Sequence, residues 1–399
     1  MNRLADAILR GELHYPRWAT HSNERVRMHP NDLERFAWEK LKKATVIEAS
    51  NVCEFFYAGT DQEVWSVSRD FPNLAPPFPV FWIEMHRPSQ IVSKLTGTFD
   101  SGLVLPYRSG FLFEAQPIHR AWQILTATTP GLTVDSAKQV LDRLMDRNGS
   151  GWRKMRELYG AGAVAKFTEE ERLLDAAVRD YDALVTAYGF IHSAKNAGWA
   201  ITIEWFTEET PGHIAGPLVS WLLMVDAEGR GLYQTRPFPI MAQGVQVPLQ
   251  LLELMSAMNF PALLAISLMH CKNVKRRSII EPGGARRKYR RTYGFEPVQY
   301  HTLEINPMRR VLEHEGGMQS GQSLQRSLHI CRGHFRTYSE KRLFGKLTGT
   351  FWIPMHARGA ADQGTVVKDY RIKGPLWQGT TSQSQNSQHR GEVRSMGSG

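Results

Sequence analysis

The sequence predicts an α+β fold: a mixed N-terminal part, a helical middle and a basic, β-rich C-terminal part. Three observations carry this. Short alternating or apolar runs, bounded by turn residues, recur before residue 130 and again from residue 200. The stretches between them show helix-start signals followed by apolar residues at helical spacing. Positive charge, finally, is gathered in one segment. Residues 1–269 hold 26 Lys and Arg against 30 Asp and Glu, residues 270–373 hold 21 against 8, and the remainder holds 2 against 1.

The elements follow in order. Asn31 or Asp32 caps a helix carrying Leu33, Phe36, Trp38 and Leu41. Val46–Ile47, Cys53–Tyr57 and Val64–Val67 read as short strands, and the prolines after Asn73 as a stiff loop. Val80–Met85, Phe111–Glu114 and Trp122–Thr126 are further strand candidates. A helix begins at Thr133 and ends at Asn148-Gly149, and Thr168 with Glu171 forms a capping box for the next. Ala200–Phe206 reads as strand, and Leu218–Val225 and Gly231–Thr235 as a hairpin around Asp226–Gly229. Pro248 opens another helix. Leu263–His270 is an apolar run compatible with either element. Two charge clusters, Lys272–Arg277 and Arg286–Arg291, flank an exposed Pro282-Gly283-Gly284 loop. Val298–Ile305, Leu328–Cys331 and Thr350–Ile353 return to strand, separated by a flexible Gly316–Ser323 linker.

These elements divide the chain into four parts. Residues 1–130 are mixed α/β, residues 131–260 a helical middle with a β-hairpin, residues 261–375 a basic domain, and residues 376–399 a disordered tail. Ordinary globular composition excludes a fibrous or wholly disordered chain. Three scattered cysteines, Cys53, Cys271 and Cys331, exclude a disulfide framework and point to a reducing, cytoplasmic setting. No apolar run is long enough for a transmembrane helix, so no membrane is expected as a partner.

A segment of charge +13 on a slightly acidic body calls for a polyanion, and nucleic acid, DNA or RNA, is the expected partner. The densest motif lies within that segment. It places His329, Cys331, Arg332, His334, Arg336 and Tyr338 close to Lys346, His356 and Arg358. Arg286, Arg287, Lys288, Arg290, Arg291, Arg332, Arg336, Lys346 and Arg358 suit phosphate contacts, and Tyr338 a stacked base. His329, His334 and His356 suit general acid–base catalysis, which makes a His/Arg-dependent nuclease the alternative. A structural or protein-docking role is the third possibility. The His and Cys spacings match no zinc pattern, so neither metal nor cofactor is expected. His270 and Cys271 end an apolar run, and free cysteine there reads as a small buried hydrophobe. Glu84, Glu114 and Glu204 each interrupt an apolar strand and need either a partner or solvent.

Leu328-His-Ile-Cys-Arg-Gly-His-Phe-Arg-Thr-Tyr338, Leu343-Phe-Gly, Gly349-Thr-Phe-Trp352, His356-Ala-Arg-Gly359 and Leu268-Met-His-Cys-Lys-Asn-Val274 carry a resemblance. They resemble an uncharacterised family of phage and prophage proteins. The resemblance implies a mobile-element setting and no particular chemistry. Charge, motif and resemblance together lead to the expectation of a nucleic-acid-binding protein of a phage or mobile element.

Overall fold

The computed structural model describes residues 3–14, 37–58, 66–86, 107–128, 131–146, 184, 187–189, 191, 197–239, 258–279, 283–305, 327–331, 334–343, 347–353, 356–358 and 360–365. The chain is a mixed α/β structure built on one large sheet. Its first elements are α1 (Leu4–Leu9), β1 (Leu13–His14), β2 (Thr45–Glu48), α2 (Ser50–Ala58), β3 (Val80–His86) and β4 (Arg108–Pro117). There follow α3 (Ala121–Thr128), α4 (Val134–Asp146), β5 (Gly198–Thr210), β6 (His213–Asp226), β7 (Gly231–Gln234) and β8 (Phe238–Pro239). The last elements before the final hairpins are α5 (Phe260–Met269), β9 (Val274–Ser278), α6 (Gly283–Tyr293) and β10 (Tyr300–Ile305).

Eight strands form the sheet in the order β1-β6-β5-β4-β3-β2-β10-β9, with β7 and β8 also pairing with β6. β2 runs parallel to both β3 and β10, while β9, β4, β5 and β6 join antiparallel. Parallel neighbours cannot be joined by a tight turn, so the chain between β2 and β3 must cross over the sheet. That is why Cys53–Tyr57 is helix rather than the expected strand. Val52, Cys53 and Phe56 are buried at helical spacing and belong to the core formed with α5.

Side chains alternate between the two faces of the sheet. On one face Phe81, Ile83, Phe111, Phe113, Ile203, Trp221 and Leu303 pack with α2 and α5. The Phe81 and Phe113 rings stack there with centroids 4.6 Å apart. On the other face Val46, Trp82, Leu112, Phe206 and Tyr300 meet α1 and Leu41, while Ala200, Leu222 and Met224 meet α3 and α4. Trp122–Thr126 is therefore a second correction. Trp122 and Leu125 are buried one helical turn apart, and the Thr126 hydroxyl donates back to the Trp122 carbonyl at 2.9 Å. Ser66–Asp70 is a turn in which the Ser66 amide donates to Asp70, so Val67 is not strand. The Leu263–His270 ambiguity resolves as helix α5.

α4 starts as the sequence suggests, with Thr133 Oγ1 accepting from the Ser136 amide at 3.1 Å. The expected capping box at Thr168, the Asn148 helix stop, the Pro248 helix, the Gly316–Ser323 linker and the tail lie outside the described residues. So does the expected helix start at Asn31 or Asp32, although residues 37–41 are helical.

The chain divides into two compact units. One comprises residues 1–319 and 332–355, and includes the hairpin of β12 (His334–Leu343) and β13 (Leu347–Ile353). The other comprises residues 320–331 and 356–399. In it β11 (Ser327–Cys331) pairs antiparallel with β14 (His356–Arg358) and parallel with β15 (Ala360–Thr365).

Candidate nucleic-acid interface

The basic segment enters the large sheet as β9, its edge strand. Lys275, Arg276 and Arg277 are exposed along it. Lysine and arginine on an edge strand also discourage pairing with a second sheet, so a structural role accounts for part of this charge. Arg277 lies 3.6 Å from Glu304 on β10, and the Arg276 guanidinium sits over the Phe78 ring, 4.9 Å from its centroid.

β9 leads into α6, where the sequence suggests an exposed loop. Gly283 and Gly284 instead occupy the first turn of a helix. The helix has no buried residue, and Arg286, Arg287, Lys288, Arg290 and Arg291 are all exposed. Arg286/Arg290 and Arg287/Arg291 are like-charge pairs one turn apart, an arrangement that costs a helix about 0.2–0.5 kcal/mol per pair. Glu296 compensates the first pair, accepting from Arg286 Nε at 2.8 Å and Arg290 Nη1 at 3.3 Å. Within α6 there is no acidic residue to compensate the second.

Aromatic rings fasten this helix to the body. Tyr289 packs on Tyr293 and Phe295 with centroids 4.7 and 5.6 Å away. Arg10 lies over Tyr293, which is 44% exposed. Tyr289 and Tyr293 are functional candidates that the sequence reasoning missed. The signal was present, because Arg-Arg-Lys-Tyr-Arg-Arg-Thr-Tyr interleaves bases with aromatics.

The β12–β13 hairpin is anchored to the other end of β9. Asn273 Nδ2 donates to the Trp352 carbonyl at 2.7 Å, and the Trp352 amide donates to Asn273 Oδ1 at 2.9 Å. The Lys272 amide donates to the Thr350 carbonyl at 2.9 Å. Gly349, at φ +117°, lies against the Lys272 side chain, and any Cβ there would sit 3.1 Å from its carbons. His334 and Arg336 are exposed on β12, and the Arg336 guanidinium is 4.9 Å from the Tyr338 ring centroid. Tyr338 in turn meets Phe351 edge-on at 5.9 Å. β9 therefore joins an Arg–Tyr pair at one end to a cationic helix at the other.

The remaining motif residues separate. His329 is the strand partner of Arg358, and Cys331 of His356, across β11 and β14 in the smaller unit. His334 belongs to the larger unit. Arg332 and Lys346 lie outside the described residues. His270 and Cys271 have structural partners. A ring nitrogen of His270 is 2.8 Å from the Ala75 carbonyl, and burial pushes the Cys271 thiol up to about 12.

The three strand carboxylates face one side of the sheet and find partners there. Lys40 bridges Glu114 at 2.7 Å and Glu204 at 3.0 Å. Glu84 Oε2 accepts from the Ala5 amide, Trp82 Nε1 and the Tyr300 hydroxyl at 3.1, 3.0 and 3.2 Å. Burial raises the carboxyls of Glu84 and Glu204 above the usual range despite these contacts. Beyond Glu84, His86, Arg108 and Glu208 align across β3, β4 and β5, with Arg108 Nε 3.4 Å from Glu208. Burial, then the charge of Arg108, lowers the His86 imidazole below its ordinary range. Among the described residues no three His, Cys, Asp or Glu side chains are grouped to hold a metal ion. No helix among them is long and apolar enough to cross a membrane. Comparison with protein-family models, curated proteins and solved structures yields no match to this chain.

Proposed function

We propose that the protein binds nucleic acid through the face formed by β9 and α6, in the setting of a phage or other mobile element. The observation that carries this is α6 itself. It is an 11-residue helix with five exposed cations, no acidic residue and no buried residue, beside an edge strand that adds three more. A helix selected for stability alone would not stack like charges at one-turn spacing. Phosphates would relieve that repulsion, and the exposed Tyr293 ring supplies a stacking surface beside them.

The test is the salt dependence of binding. Replacing Arg286, Arg287, Lys288, Arg290 and Arg291 together with serine removes cations without emptying any core position. Each lost phosphate contact lowers the logarithmic salt slope by about 0.7 on single strands and about 0.9 on duplex. The expected result is weaker binding with a shallower slope. Binding with an unchanged slope, or no binding by the native protein at low salt, refutes the proposal.

A further inference from the structure

At the root of α6 lies a cavity of about 400 Å³, between the amino ends of β2 and β10. Its lining includes the apolar side chains of Leu9, Leu41 and Val298. Trp38, Phe295, Lys42, Glu296, Gln299 and His301 are among the other residues that line it. Ligand pockets run from about 300 to 1,000 Å³ and combine apolar walls with a few directed polar groups. This one sits at the small end of that range, with room for one nucleoside rather than a stacked pair.

We propose that this cavity receives a single unstacked base bearing an exocyclic amine, from a single-stranded nucleic acid whose phosphates lie on α6. The inference rests on the nucleic-acid function proposed above and adds a base-recognition site to it. Two aromatic rings are held in place for stacking. The Trp38 indole is oriented by its Nε1, which donates to the Leu9 carbonyl at 3.2 Å. Phe295 is held by Tyr289 and Tyr293, at centroid distances of 5.6 and 6.4 Å. The ammonium of the exposed Lys42 lies over the Trp38 ring. A base stacking on that ring takes the place of the ammonium and frees it for a phosphate.

Glu296 supplies the choice of base. Glu296 is one of the residues lining the cavity, and its carboxylate accepts from Arg286 and Arg290 on α6. The two guanidiniums more than cancel its charge, so it does not repel a phosphate chain. Its oxygens still have lone pairs for N–H donors. Adenine, cytosine and guanine present an amine, whereas thymine and uracil present carbonyl oxygen in its place. Carboxylates accept from the cytosine amine in other protein–nucleic acid contacts. The same arginines thus tie phosphate binding on the helix to base recognition in the cavity.

The experiment uses the full chain and compares labelled oligo(dC), oligo(dT) and an abasic deoxyribose-phosphate chain of equal length by fluorescence anisotropy. Stacking is worth about 1–3 kcal/mol per base, so oligo(dC) should bind on the order of tenfold more tightly than the abasic chain. It should also bind more tightly than oligo(dT). Phe295→Ser should reduce the advantage over the abasic chain. Glu296→Gln, at a side chain 45% exposed, should abolish the oligo(dC) preference over oligo(dT) while leaving the fold intact. Equal binding of oligo(dC) and the abasic chain, with the same salt slope, overturns the base pocket and leaves the nucleic-acid function standing. A base-dependent advantage insensitive to both substitutions places recognition elsewhere and also overturns it. If neither chain binds at low salt, both proposals fall.

Discussion

Glu84 shows how much a single residue can and cannot disclose. A carboxylate in Val80-Phe-Trp-Ile-Glu-Met is visible as an anomaly in the sequence, because burying it alone is costly. Its partners are not visible, since Ala5 and Tyr300 lie 79 and 216 residues away. Lys40 is hidden from Glu204 in the same way, at a separation of 164. The folded-state pKa of Glu84 is raised from 4.5, burial outweighing the three donors and Arg108. A raised carboxyl means that the folded protein holds this proton more tightly than the unfolded chain. Its contribution is complete below about pH 4.5 and is lost as pH rises through the folded value. Glu84→Gln keeps an acceptor for Trp82 Nε1 and the Ala5 amide and removes the titration. Denaturant midpoints measured against pH should therefore show the variant equal to or more stable than the native protein at pH 7–8. That advantage should shrink towards pH 4.5. A native protein that instead gains stability over the variant as pH rises would contradict a raised Glu84 pKa.

At the scale of elements, period-2 patterns were legible and context-dependent ones were not. β3, β4, β5 and β6 each cover the apolar or alternating run that marks a strand, and β10 covers Val298–Ile305 from Tyr300 onward, because a sheet buries such runs directly. α2 and α3 were misread because aromatic and β-branched residues favour strands only where a sheet edge receives them. In α2 a crossover between parallel strands overrides that preference. α6 was hidden behind its two glycines, whose turn propensity outweighs the helical spacing that follows. Gly283 and Gly284 have nothing within 4 Å of where a Cβ would stand, and neither has a left-handed φ. Glycine in such a place costs about 0.5–1 kcal/mol relative to alanine. Gly284→Ala should accordingly stabilise α6, raising the helical signal or the unfolding midpoint by up to that amount. Nucleic-acid affinity should stay within about twofold, since no cation is moved; a shift of tenfold would mean that the first turn itself contacts the ligand.

For the whole molecule, the division between a slightly acidic body and a segment of charge +13 was legible by counting, before any element was assigned. What counting could not show is how the described cations are arranged. In the larger unit they run from the Arg336–Tyr338 pair on the hairpin, past Lys272, along β9 and onto α6. The centre of the motif is less legible still, because His334 and the strand partners His329 and Arg358 belong to different compact units. Any ligand that binds the folded protein alone stabilises it, by about 2.7 kcal/mol at a hundredfold excess over Kd. A generic basic surface and a nucleic-acid surface then differ in which polyanions do this. Poly-glutamate offers charge without rings, while oligo(dC) offers charge with bases for Tyr293, Tyr338 and Trp38. At low salt both should raise the thermal midpoint. Screening at physiological salt weakens contacts between exposed charges beyond about 8 Å, whereas stacked rings retain theirs. The expected outcome is that the poly-glutamate shift vanishes near physiological ionic strength while the oligo(dC) shift persists at several degrees. Equal loss of both shifts would mean that the aromatic residues along this route contribute nothing to binding, and the surface would then be a docking face for acidic partners in general.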